Sequence, residues 1–233
     1  MDEKLSHEDS RVETVPLKGM RGAIAHAMLD SLQNTAQLTL HREYDADGVI
    51  AWRRTFPDDA RPTLNDLVLM ATARVLRDHA ELNATIDEDA RQIHRHTAVH
   101  LGMAVAPDRG GLVVPVIRNA DRMTLPEITA AASASAASAK QGRLTMAEIS
   151  GGTFTVTNLG SFGVDFFTPV VQRPQVAILG VGRMRGDRST LSLTIDHRAV
   201  DGVPGGRFLN DLAVLLQDPA ALAHIAGTTE KEF

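Results

Sequence analysis

The sequence contains no cysteine, few aromatic residues and no excess of positive charge. Without cysteine it has no disulfide, no thiolate zinc ligand and no cysteine nucleophile. Aromatic residues make up only 4% of the chain, which argues against stacking platforms for nucleic-acid bases. The formal net charge of −5 lacks the basic surface that general nucleic-acid binding needs. No apolar run approaches the ~20 residues of a membrane span, so we expect neither nucleic acid nor membrane as a partner.

The residues that are present indicate an ordinary globular domain. Hydrophobic residues make up 43% and charged residues 23% of the 233 positions, which is enough apolar material for a core. We predict a polar lead-in over 1–14, one domain over 15–222 and a tail over 223–233. The first residues are charged and lack the apolar centre of a secretory signal. Strand and helix patterns alternate irregularly, which favours an α/β fold with a mixed sheet.

Two helices are indicated most clearly by the sequence. Thr63 and Asp66 form a capping pattern ahead of an apolar stripe, which predicts a helix from Thr63 to about Asp78. The segment Ala130–Ala139 contains only alanine and serine, and it predicts a helix packed flat on the sheet, with low-complexity disorder as the alternative. A further helix is expected at about Gly206–Gln217.

Three histidines, His94, His96 and His100, are spaced so that they would share one face of a strand. Such a cluster resembles the donor set of a zinc site. The opposite face carries apolar residues such as Val99 and Leu101, so the histidines are expected on the wetter side. We therefore predict no metal site here.

The stretch from Leu191 to Gly202 carries the strongest catalytic signal. Apolar and polar residues alternate from Leu191 to Asp196, as they do in a half-buried strand. His197 continues the apolar register, so its imidazole is expected to point inward where the strand ends, with Asp201 four residues later. A histidine placed beside a carboxylate is either a general base or a core histidine satisfied by its neighbours.

Three stretches of the sequence carry distinctive motifs: residues 197–202 (HRAVDG), residues 151–160 (GGTFTVTNLG) and residues 174–182 (PQVAILGVG). They resemble, in that order, the HRxxDG motif, the glycine-punctuated strand and a further strand of the dihydrolipoamide acyltransferases, the core subunits of 2-oxo acid dehydrogenase complexes. The opening residues 16–21 (PLKGMR) resemble the family's domain entrance. The likeness runs in order over about 15–222. It implies a chloramphenicol acetyltransferase-like fold, a two-layer α/β sandwich with a mixed sheet, forming trimers with active sites between subunits.

The resemblance also implies catalytic roles. Moving an acyl group between two thiols needs a base for the attacking thiol and a donor for the tetrahedral oxyanion. By resemblance His197 is the base, and Thr157 stands where the family usually has serine, as the oxyanion donor. Asp201 is expected to hold an arginine rather than to relay protons, and Arg21 is the candidate partner.

Further residues and partners follow from the same likeness. Asn158, Gly182 and Met184 match positions that line the coenzyme A channel. The implied substrates are coenzyme A and lipoamide, with the lipoyl group carried on a domain absent from this chain and with other complex components as partners. The expected location is the bacterial cytoplasm, or the mitochondrial matrix in a eukaryote.

Alternatives stay open on function and assembly. The chain could serve a free small-molecule acceptor, as antibiotic-modifying relatives do, or act as an inactive scaffold. The segment 223–233 lacks the strongly apolar ending that joins family trimers into cubes or dodecahedra, so a trimer that assembles no further is a second expectation. An acetyl or branched-chain acyl group is favoured over succinyl by likeness alone.

Overall fold

A computed structural model describes residues 12–108 and 110–227. The predicted lead-in over 1–14 and tail over 223–233 lie largely outside these residues. The predicted domain end at 222 falls inside a helix, Pro219–Gly227, whose Leu222 is fully buried. The packed structure therefore continues to Gly227.

The described residues form eight strands: β1 (Gln37–Asp45), β2 (Ala84–Asp87), β3 (Gln92–Arg95), β4 (Leu101–Met103), β5 (Val116–Ile117), β6 (Phe154–Asn158), β7 (Ala177–Val181) and β8 (Arg188–Asp196). Six of them form the main sheet in the order β1-β8-β7-β6-β4-β5. Parallel pairs join β4 to β6 and β6 to β7, and the other neighbours are antiparallel, so the predicted mixed sheet is confirmed. The other two strands, β2 and β3, form a separate hairpin.

The helices are α1 (Gly19–Asn34), α2 (Asp47–Arg54), α3 (Leu64–Val75), α4 (Leu125–Lys140), α5 (Gly202–Gln217) and α6 (Pro219–Gly227). The predicted cap of α3 is confirmed, because the Asp66 amide donates to the Thr63 hydroxyl and the Thr63 amide donates to the Asp66 carboxylate at 2.8 Å. The alanine–serine segment lies in α4, as predicted. α5 begins at Gly202, four residues earlier than expected. Within the described ranges, no helix is long and apolar enough to cross a membrane.

The two faces of the main sheet differ in chemistry. One face carries buried apolar residues such as Val156 and Leu179, and its Phe154 contacts Phe208 of α5. The opposite face carries hydroxyl groups, and Thr39 hydrogen-bonds Thr194 across β1 and β8 at 2.8 Å. This alternation follows from the two-residue period of a strand. It leaves a polar face that α1 and the loop after β6 cover.

The three histidines do not share a strand face. β3 ends at Arg95, so only His94 belongs to a strand. His96 hydrogen-bonds the Thr85 hydroxyl at 2.9 Å, while the His100 ring accepts from the Asn119 amide at 3.1 Å. The expectation of a common face is therefore wrong. In the described part of the chain, no group of three potential ligands is placed to hold a metal ion.

Candidate active site

His197 lies directly after β8, where the backbone leaves the sheet. The Ala199 and Val200 amides donate to the Asp196 carbonyl at 2.9 and 3.0 Å, which turns the chain toward α5. The side chain of His197 is 45% exposed. The expectation of an inward-pointing imidazole is therefore wrong for the single chain, because the turn begins one residue before the histidine. The imidazole is available at the surface instead.

Asp201 lies at the N-cap of α5 and is 84% exposed. Its Oδ1 is 3.6 Å from Nδ1 of His197, a distance that allows an electrostatic contact but is too long for a hydrogen bond. Arg21 lies on α1. Among the ion pairs of the described residues, the partner of Asp201 is His197 and not Arg21. The Arg21–Asp201 pair is therefore not formed within one chain and stays a prediction.

An ion pair between buried Asp196 and partly exposed Arg198 flanks His197 on both sides. Asp196 is completely buried, and the Nε of Arg198 donates to both of its carboxylate oxygens at 3.0 Å. Nη2 of Arg198 adds a contact of 2.7 Å, and the Ala36 amide donates to Oδ1 at 3.2 Å. Burial alone would raise the pKa of Asp196, but the hydrogen bonds from Arg198 and Ala36 hold that pKa below its ordinary value.

The sequence reasoning missed this ion pair beside the candidate base. The available signal in the sequence was an acidic residue at a polar position of β8, followed two positions later by an arginine. Its burial depends on the loop and helix that cover the polar face of the sheet, which alternation along one strand does not reveal.

Thr157 lines a cavity of about 450 Å³ on the polar face of the sheet. Most of the other lining residues are apolar, including Ile24, Met28, Val114 and Phe167. The ring of Phe167 lies against β7 at Gly180, where an added Cβ would come within 2.7 Å of it. A hydroxyl at the wall of an apolar cavity is well placed to donate a strong hydrogen bond to a developing oxyanion.

The three residues predicted to contact coenzyme A line one second cavity of about 280 Å³. Asn158 ends β6, and Gly182 and Met184 follow β7, its neighbour in the sheet. The Asn158 amide donates to Oδ1 of Asn65 at 3.2 Å. Tyr44 also lines this cavity, and burial raises the pKa of its phenol. The structure brings the three residues together, and their contact with coenzyme A stays a prediction.

The sheet register separates Thr157 from His197 within one chain. Thr157 pairs with Gly180 on β7, and Gly180 pairs with Ser192 on β8. His197 lies five residues beyond Ser192, which is about 16 Å along the strand, and two strand spacings add roughly 10 Å across the sheet. A base and an oxyanion donor must both lie within about 3 Å of the reacting groups. The two side chains of one chain therefore do not form one site.

The fold defines the class of the protein as a chloramphenicol acetyltransferase-like α/β domain. A solved chloramphenicol acetyltransferase aligns over 82% of this chain and 94% of its own, with a TM-score of 0.53 at 13% identity. A sequence model of the family "2-oxoacid dehydrogenases acyltransferase (catalytic domain)" matches residues 9–224. The chain belongs to this family.

Known relatives agree with this assignment. The acetyltransferase component of the acetoin cleaving system of Bacillus subtilis is 39% identical over 92% of this chain and 58% of its own length. The chain spans about half the length of the curated relatives it matches.

Solved structures agree as well. The dihydrolipoamide acetyltransferase of Azotobacter vinelandii matches 91% of this chain and 94% of its own, with a TM-score of 0.85 and 30% identity. The cubic core of a pyruvate dehydrogenase complex covers 96% of this chain and 98% of its own, with a TM-score of 0.86 and 29% identity. The mechanism of the Azotobacter enzyme has been studied through a serine, a histidine and an asparagine. Its histidine and asparagine are four positions apart, as are His197 and Asp201 here.

Proposed function

We propose that the chain transfers an acetyl group between dihydrolipoamide and coenzyme A, in an active site formed between two copies of the chain. His197 of one copy acts as the general base, and Thr157 of the next copy stabilises the oxyanion. The observation that carries this proposal is the distance that the sheet register imposes between the two residues in one chain. The exposure of His197 supports it, because an exposed imidazole is free to meet a second copy.

The transfer follows from the chemistry of these side chains. The imidazole of His197 takes the proton of the attacking thiol, whose sulfur adds to the thioester carbonyl. The Thr157 hydroxyl donates to the resulting oxyanion, and such a donor typically contributes about 3–4 kcal/mol to transition-state stabilisation. The intermediate then collapses and releases the second thiolate, which takes the proton back from His197. Oδ1 of Asp201 is 3.6 Å from Nδ1 of His197, which allows an electrostatic contact with the imidazole.

The two cavities suit the two substrates. The cavity at Thr157 is mainly apolar and fits the aliphatic arm of dihydrolipoamide, whereas the cavity at Asn158 and Gly182 offers polar groups to coenzyme A. The two cavities lie on opposite faces of the sheet, because Thr157 and Asn158 are consecutive residues of β6 and their side chains point to opposite sides. The acetyl group is favoured because the matched relatives are acetyltransferases.

The proposal extends to assembly and location. We place the chain as a homotrimer in the core of a 2-oxo acid dehydrogenase complex, served by lipoyl domains and other complex components in a bacterial cytoplasm. Its similarity to a cubic core supports a larger assembly built from such trimers. Sedimentation of the purified chain would distinguish a free trimer from a larger particle.

Complementation between two inactive variants tests the shared site. We expect His197→Ala and Thr157→Val each to lower kcat by about 10²-fold or more with acetyl-CoA and dihydrolipoamide. Mixing the two unfolded variants in equal amounts and refolding them gives cyclic trimers in which about a quarter of the interfaces pair an intact histidine with an intact threonine. Recovery of about a quarter of the wild-type rate is therefore expected.

Two controls complete this experiment. Each variant refolded alone must stay inactive, and each must sediment like the wild type. A mixture without activity, despite mixed trimers, would show that the site is not shared between copies. Transfer to a free small-molecule acceptor but not to dihydrolipoamide would assign the chain to the alternative function.

A further inference from the structure

Glu88 joins two arginine side chains beside the C-terminal end of β8. It lies in the turn between β2 and β3, outside the motifs that indicated function. Its Oε1 is 3.0 Å from Nη2 of Arg198 and 3.1 Å from Nη2 of Arg173. These contacts, led by the hydrogen bond from Arg198, hold the pKa of Glu88 below its ordinary value.

The hairpin that carries Glu88 is held in place by the neighbouring loop. The Ile86 amide donates to the Pro174 carbonyl at 2.9 Å, and the Val176 amide donates to the Ala84 carbonyl at 3.2 Å. Arg173, in the same loop, also contacts Asp30 of α1 at 2.6 Å. The backbone hydrogen bonds of this hairpin therefore fix the position of Glu88 next to Arg198.

Arg198 is shared between Glu88 and the buried Asp196. Its guanidinium donates to both carboxylates, so it is held from two sides. Asp196 and Arg198 are the immediate neighbours of His197, whose amide donates to the Ala36 carbonyl at 2.8 Å. The contact of His197 with Asp201 is longer than a hydrogen bond. The direction of the imidazole therefore depends on its backbone, which the Asp196–Arg198 pair stabilises.

We propose that Glu88 is a positioning residue for His197 and acts on it through Arg198 and Asp196. The expected fall in kcat rests on the proposed function, whereas the expected change in the position of the His197 imidazole does not. Exposed ion pairs commonly contribute little to stability. The competing expectation is therefore that Glu88→Ala changes neither the stability nor the rate. The present pair differs because Arg198 also neutralises a fully buried carboxylate beside the base.

Matched alanine variants in one turn test the kinetic consequence. Glu88→Ala removes one negative charge together with the contact with Arg198. Asp89→Ala removes one negative charge from the adjacent position, which takes no part in the contacts between Glu88 and the two arginines. We expect Glu88→Ala to lower kcat about three- to fivefold with KM unchanged, because small displacements of a base reduce the rate without weakening substrate binding. Asp89→Ala should keep the wild-type kcat. Equal kcat values for the two variants would overturn the proposal, as would a change confined to the melting temperature.

A second measurement is independent of activity. The imidazole resonances of His197, assigned by their loss in His197→Ala, should shift or broaden in Glu88→Ala and not in Asp89→Ala. If the wild type transfers no acetyl group but this difference appears, the proposed function fails and the positioning role stands. If the wild type is active and His197 is unchanged in Glu88→Ala, the positioning role fails alone.

Discussion

Asp196→Asn tests the most deeply buried charge of the candidate site. The carboxylate is completely buried and accepts hydrogen bonds from the Arg198 side chain and from the backbone amides of Ala36 and Arg198. Asparagine has nearly the same shape and keeps one oxygen for the backbone donors. It replaces the other oxygen with an amide group, whose hydrogens oppose those of the guanidinium.

The magnitude follows from the contacts that are lost. Hydrogen bonds to charged groups are worth about 1.5–3 kcal/mol each, but Arg198 is partly exposed and can recover some hydration. We therefore expect the free energy of unfolding to fall by roughly 2–3 kcal/mol at neutral pH, since the backbone bonds to Asp196 persist. For a chain of this length, that corresponds to a fall of about 4–12 °C in melting temperature.

The pH dependence of this difference identifies the charge as its cause. The pKa of Asp196 is lower in the folded state than its ordinary value of 3.8, so folding favours the carboxylate. The stabilisation is then fully present above the unfolded-state value and is lost as the pH falls through the folded-state value. The wild type should accordingly lose its advantage over Asp196→Asn in acid, in urea unfolding curves at fixed protein concentration.

A surface variant provides the control for this experiment. Glu43→Gln removes an ion pair between β1 and β8, in which Glu43 and Arg188 are 3.5 Å apart and each about half exposed. Its expected effect is within about 0.5 kcal/mol. A loss at Asp196→Asn no larger than that of the control, or one that persists unchanged in acid, would refute the argument that the buried carboxylate stabilises the site.

Three further predictions concern packing, capping and burial. Gly180→Ala places a Cβ 2.7 Å from the Phe167 ring and should lower the unfolding free energy by about 1–3 kcal/mol, while Gly206→Ala, with open space around its Cβ, should cause no loss in the same urea curves. Thr63→Ala removes the cap of α3 and should cost about 1 kcal/mol; an unchanged urea midpoint would contradict this. Tyr44 is the only tyrosine, and burial raises its pKa above 10.0, so its contribution to stability is lost as the pH rises through the folded-state value. Tyrosinate absorbance should therefore appear at higher pH in folded than in unfolded protein, and coincident titrations would contradict this.

The sequence by itself determined the local elements and the motif residues. The cap at Thr63 and Asp66 and the strand at Leu191–Asp196 are confirmed, because capping hydrogen bonds and the two-residue period depend on near neighbours. The expectation that this strand is half-buried is wrong, since both of its faces are covered by other parts of the fold. The motifs also indicated the family and the candidate residues His197 and Thr157, because the likeness lies in short, ordered stretches of sequence.

Only the tertiary structure decided where those residues lie relative to one another. The pairing of β6 with β7 and of β7 with β8 sets the distance between Thr157 and His197. The turn after Asp196 exposes His197, and the covered polar face buries Asp196 beneath Arg198 and Glu88. Strand register and burial arise from contacts between residues far apart in the chain, which no local period specifies. The distance between the two candidate residues is therefore a property of the folded sheet.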